Sequence, residues 1–175
     1  MKFRLIVLLV VFGMPGESAQ QDHDPWDPPR LSISELPAIC EVVIPVVESQ
    51  TAIVELDHQA WPHYIAVVNH VRFSLGLDDQ NRTRYLSTDD AKFTTPDGVG
   101  VGWLFEDLQA EFEVEPACDP RSSCFVQLPS GWYAGFPARK RNLAGKAIVY
   151  EAEPPKSGDQ VSYLFKRGTC KGSAG

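Results

Sequence analysis

The chain has 175 residues, a net charge of −7 and an apolar fraction of 43%, enough for one domain with a genuine core and too much for a disordered or low-complexity chain. Charge is uneven: Gln20 to Ala117 holds five Lys and Arg against eighteen Asp and Glu, near −13, whereas Cys118 to Gly175 holds nine against four, near +5. The acidic total argues against nucleic acid as a partner. The asymmetry implies either two parts that neutralise each other on packing or a basic face for an anionic partner.

Met1 to about Ala19 has the parts of a secretory signal: Lys2 and Arg4, an apolar run from Leu5 to Phe12, then small residues at Gly16, Ser18 and Ala19. That run is too short to cross a bilayer. The expectation is a periplasmic or secreted protein without stable membrane insertion after cleavage. Residues 20–38, rich in Pro and Asp, read as an extended arm, and residues 39–171 as a single globular domain.

From Cys40 the pattern turns to strands. Val42, Val43, Ile44, Val46 and Val47 form a β-branched run interrupted by Pro45, and Thr51 to Leu56 is a second run. Ile65 to Leu75 reads as one strand with Ile65, Val67, Val71, Phe73 and Leu75 on one face. A turn at Gly76 to Asn81 and a strand at Arg82 to Ser87 follow.

Gly98, Gly100 and Gly102 then alternate with Val99 and Val101, which asks for turn and extended geometry. Leu104, Leu108 and Phe112 recur at helical spacing, so an amphipathic helix is expected over about 103–113. Beyond it, Cys124 to Phe136 reads as a hairpin, and Arg139-Lys140-Arg141-Asn142 as a basic loop. Lys146 to Glu151 and Val161 to Phe165 read as a closing strand pair. Many short strands with one good helix predict an α+β fold with a mostly antiparallel sheet.

An even cysteine count in an exported chain predicts two disulfides, for which three connectivities exist. The turn-forming Asp119 to Ser123 favours Cys118 with Cys124, leaving Cys40 and Cys170 to tie the ends of the domain. Zinc is the rival use of these four residues, but their spacings lack the paired short motifs of structural zinc sites.

Catalytic and cofactor motifs are missing: there is no Gly-x-Ser-x-Gly elbow, no His-Glu-x-x-His, no phosphate loop and no dinucleotide spacing. No cofactor is implied and an enzyme is not expected. His58, His63 and His70 with Asp57 form the alternative, a metal-binding envelope protein, although their spacings do not agree on one face. The leading expectation is a binding protein. A bridged Cys118 to Cys124 loop would present Arg121, and Ser130, Trp132, Tyr133, Arg139, Lys140 and Arg141 stand close by in sequence. Trp, Tyr and Arg dominate interface hot spots, and a rigid loop loses little entropy on binding. The partner would be a protein or envelope component; the dull reading is that Trp132 belongs to the core.

Two resemblances bear on this. Thr95 to Gly102, the helix at Leu104 to Phe112 and the later Gly131-Trp132-Tyr133 resemble a pattern in small exported bacterial proteins of unassigned function. There a threonine-rich strand, a glycine turn and a helix precede a closing sheet. Cys118-Asp-Pro-Arg-Ser-Ser-Cys124 is similar to the disulfide-closed loop with which periplasmic lysozyme inhibitors enter the lysozyme cleft, although it carries no histidine and is one residue longer. The resemblance implies an inhibitor, and the class of exported binding proteins expected here also includes immunity-type proteins.

Overall fold

A computed structural model describes residues 30–44, 53–56, 59–119, 123–137, 139–143 and 147–170. The expected signal segment and the first half of the expected Pro/Asp-rich arm lie outside these residues. The main body is one nine-stranded sheet ordered β1-β3-β4-β5-β11-β8-β7-β6, with β2 also paired to β3. In chain order the strands are β1 (Arg30–Leu31), β2 (Ile53–Leu56), β3 (Gln59–Val68), β4 (Val71–Leu77), β5 (Thr83–Thr88), β6 (Ala117–Cys118), β7 (Ser123–Gln127), β8 (Tyr133–Pro137) and β11 (Tyr163–Arg167). β1 lies parallel to β3, and the remaining pairings in this sheet are antiparallel. The helix α1 spans Phe105–Phe112, within the expected range. The α+β reading with a mostly antiparallel sheet therefore holds.

Strand alternation separates the faces. Tyr64, Ala66 and Val68 of β3 stand directly across from Leu75, Phe73 and Val71 of β4, and all six belong to the core. Leu86, Val126, Ala134, Phe136 and Leu164 continue that face. Phe105 and Leu108 of α1 cover it, with the Phe105 ring 5.5 Å from that of Phe136. Burying each such side chain is worth about 1.5 to 3 kcal/mol, so the helix is held by packing more than by propensity. Leu104 gives it no side-chain cap, but the Phe105 amide donates to the Asp159 carbonyl at 2.9 Å and the Glu106 carboxylate accepts from the Gly158 amide at 2.6 Å.

Both expected disulfides are formed, Cys40 with Cys170 and Cys118 with Cys124, and no cysteine is free. Beside Cys40, the β4–β5 turn is organised by Asp78, a carboxylate with only 2% of its residue exposed. It accepts from the Gln80 and Arg82 amides at 3.0 and 2.9 Å and from Arg82 Nε at 2.9 Å. Arg84 reaches it at 3.6 Å, donates to the Gly168 carbonyl at 2.9 Å and lies over the Trp61 ring. One turn thereby anchors β3, β5 and the C-terminal end of the sheet.

Three local expectations are corrected. Ile65 to Leu75 is not one strand but the β3–β4 hairpin, closed by Asn69 and His70, both at positive φ. The two-residue turn changes the parity of the alternation, so Val67 is 54% exposed while Tyr64, Ala66 and Val68 point inward. Arg139-Lys140-Arg141-Asn142 is not a loop: β9 (Arg139–Leu143) pairs with β10 (Ala147–Glu151) as a separate two-stranded sheet. β10 is consequently not the partner of β11, which inserts between β5 and β8. That insertion joins the acidic and basic parts of the chain in one sheet.

Candidate binding face

Where β7, β8 and β11 run side by side, the residues that alternate with core positions Val126, Ala134 and Leu164 point away from α1. These are Phe125, Tyr133, Tyr163 and Phe165. Register brings them together, because Tyr133 is directly opposite Phe165, and Gly135 is opposite both Phe125 and Tyr163. The rings of Tyr133 and Phe165 stack at 4.9 Å, and Phe125 meets both edge-on at 5.6 Å. Tyr163 and Tyr85 extend the cluster, 5.6 and 6.0 Å from Phe165.

Arg167 stands two residues beyond Phe165 on the same side of β11 and lays its guanidinium over this cluster. The distances are 4.9 Å to the Phe125 ring, 5.7 Å to Tyr133 and 5.8 Å to Phe165. Such contacts contribute about 0.5 to 1 kcal/mol when exposed and more when desolvated. They also hold the cation in place before anything binds. Tyr163 is fixed at its far end by a 2.5 Å hydrogen bond between its hydroxyl and that of Ser123. Burial pushes the Tyr163 and Tyr85 phenols above their ordinary range, so both stay neutral hydrogen-bonding groups at physiological pH.

Next to the rings a groove of about 460 Å³ opens over β4, β5 and β11, bordered by Arg72, Ser74, Tyr85, Ser87, Ser162 and Tyr163. Thr88 and Asp89 complete its wall. Ser74 and Ser87 are register partners and form the floor. Thr88 donates its hydroxyl proton to the Arg72 carbonyl at 2.7 Å, which ties β5 to β4.

The residues singled out from the sequence fall in several places. Tyr133 is part of the aromatic cluster. Trp132 is 5% exposed and packs in the core, 4.8 Å from the Phe93 ring and with the Lys166 ammonium 5.8 Å from its ring. Ser130 is engaged by Asp97, which accepts from its amide at 3.0 Å and from its hydroxyl. Arg139, Lys140 and Arg141 lie on β9; Arg121 lies outside the described residues. Cys118 and Cys124 close the sheet edge next to Phe125.

Of the proposed metal set, Asp57 and His58 lie outside the described residues. His63 is opposite Gly76 near the start of the β3–β4 pairing, and His70 sits in the turn at its other end. At about 3.3 Å of rise per residue, that places them near 20 Å apart, too far to share an ion. Burial, assisted by the Arg72 charge, lowers the His63 pKa, and its Nε2 has no hydrogen-bond partner among the described residues. Among the described residues, no three His, Cys, Asp or Glu side chains are grouped as a metal centre would need.

Phe125, Tyr163, Phe165, Tyr85 and Arg167 were not singled out from the sequence. Their signal was alternation within β5, β7 and β11, but only the pairing of distant strands makes it a cluster. Among the described residues, no helix is long and apolar enough to cross a membrane.

No protein-family model and no curated protein matches the sequence. Among solved structures, the chain is similar to the uncharacterized protein YfeY from Escherichia coli, with 15% identity and a TM-score of 0.35 over 67% of this chain and 77% of that one.

Proposed function

We propose that this chain is an exported, non-enzymatic binding protein that recognises an extracytoplasmic partner through the aromatic and basic face of its sheet. The observation that carries this reading is the Arg167 guanidinium held over the Phe125, Tyr133 and Phe165 rings on the side of the sheet away from α1. Tyr and Arg supply much of the energy of protein interfaces. Side chains already locked by neighbours lose little entropy on docking. Two disulfides fit an oxidising compartment. Phe125 follows Cys124 on β7, so the bridged edge of the sheet carries one of the rings.

Affinity capture from an extracytoplasmic extract with the oxidised protein tests this. Capture that is lost in Tyr133→Ala and Arg167→Ala, with near-native melting curves, supports the reading. Capture unchanged by both substitutions overturns it. The narrower inhibitor form is tested by lysozyme turnover in the presence of the protein, and undiminished turnover at saturating protein removes it.

A further inference from the structure

We infer that the groove between Arg72 and Tyr163 is a saccharide site, which takes a neutral, polyhydroxylated ring across the Ser74–Ser87 floor. The inference rests on reading the outward face as a binding surface and names the class of ligand for its polar end. A volume of about 460 Å³ falls within the roughly 300 to 1,000 Å³ of small-ligand sites.

The polar groups of the wall select the class. Ser74, Ser87 and Ser162 bring hydroxyls to the groove, Ser87 also bonding the Tyr85 phenol and Ser162 the Gln160 carbonyl, while the Tyr163 hydroxyl is turned to Ser123 on β7. Each hydroxyl both donates and accepts, as ligand hydroxyls do. Arg72 brings a fork of donors and Asp89 a pure acceptor, and both are exposed at the rim. One cation facing one anion leaves the groove near neutrality, so a phosphate or other multiply charged anion would meet Asp89 as well as Arg72. A hydrocarbon would strip the serines of water without replacing their hydrogen bonds. Tyr85 and Tyr163 stand on different strands at opposite ends of the floor, because Ser87 is paired with Phe165, two residues beyond Tyr163, while Tyr85 is paired with Arg167. The Tyr163 ring leans over Gly135 of β8 and borders the groove at one end only. The Ser123 hydroxyl holds the Tyr163 phenol in that place.

The test is titration of the oxidised protein with N-acetylglucosamine tetramer and cellotetraose, followed by protein amide shifts, with inorganic phosphate and glycylglycine as competing chemistries. Insoluble peptidoglycan sacculi in a pull-down distinguish an envelope glycan from a free oligosaccharide. The expected result is saturable shifts of Arg72, Ser74, Ser87 and Tyr163 with at least one tetrasaccharide. Affinity should fall about tenfold or more in Arg72→Ala and in Ser87→Val, since each removes groups worth one or two hydrogen bonds. Arg72 is exposed, so its variant should fold. Absence of sugar binding, groove shifts with phosphate or glycylglycine alone, or sugar binding unchanged in both variants overturns the inference. If sugars fail while partner capture still depends on Tyr133 and Arg167, the saccharide assignment alone falls. If sugars bind and capture is indifferent to those two residues, the broader reading falls instead.

Discussion

Tyr163 on β11 occupies the space that Gly135 on β8 leaves empty: a Cβ built at position 135 falls within 2.6 Å of three atoms of the phenol ring. The ring lies over the neighbouring strand only because that strand carries no side chain there, and its hydroxyl then reaches Ser123 on β7. Gly135→Ala should therefore expel the ring and cost about 1 to 3 kcal/mol, as overpacking does. Urea denaturation of Gly135→Ala, Tyr163→Ala and the double variant checks it. Residues in contact couple, so the double variant should lose less than the sum of the two single losses. Strict additivity would contradict the relationship.

Asp78 predicts the acid limb of stability. Burial pushes its carboxyl up, but hydrogen bonds from the Arg82 amide and side chain and the Gln80 amide outweigh this and hold it below the ordinary value of 3.8. As pH falls, the unfolded chain takes up the proton first. The stabilisation is thus complete above the unfolded pKa and is lost as pH drops through the lower folded pKa. Removing one partner of a buried ion pair costs about 3 to 5 kcal/mol, so Asp78→Ala should lose that much at neutral pH. Its denaturation midpoint should also change less between pH 5 and 2, about the window in which such a carboxylate titrates. An acid limb as steep as that of the unsubstituted protein would show that Asp78 is not its source.

How far the sequence reveals this molecule depends on how local each feature is. The helix and both cysteine pairs were legible, since Leu104, Leu108 and Phe112 repeat at a fixed period and Asp119 to Ser123 is turn-forming in its own right. The β3–β4 hairpin was not, because its turn is Asn69-His70 and lacks the glycine that usually marks a two-residue turn. Tyr133 was identified by type, but its partners Phe125 and Phe165 are brought to it by registers across three strands. The decisive step, β11 entering between β5 and β8, leaves no local trace, since sequential strands usually pair with each other.

The two disulfides should contribute unequally. Cys40–Cys170 closes 130 residues and Cys118–Cys124 only six. In the chain-entropy model these are worth about 5 and 2 kcal/mol. Cys40→Ala/Cys170→Ala should accordingly lower the melting temperature by more than Cys118→Ala/Cys124→Ala, with each pair removed in a separate variant. Intact mass after alkylation without reduction should show no modified thiol in native protein. Equal losses would mean that local packing around each bridge, not loop closure, sets its contribution.

The Asn69-His70 turn carries the last prediction. Both residues hold positive φ, 50° and 65°, between strands whose ends pair Val68 with Val71. That is the twist a two-residue hairpin requires, and a non-glycine residue in the left-handed region is disfavoured by about 1 to 2 kcal/mol. His70 is exposed, so replacing it removes little packing. His70→Gly should raise stability by about 0.5 to 1 kcal/mol once the greater freedom of glycine in the unfolded chain is subtracted. His70→Pro, locked near −65°, should instead break the hairpin. Thermal melts of the two variants decide it, and the same His70→Gly protein addresses the metal alternative. If His70 ligates an ion together with Asp57 or His58, its loss should weaken zinc affinity. A turn histidine with no such role leaves zinc binding unaltered while the fold becomes firmer.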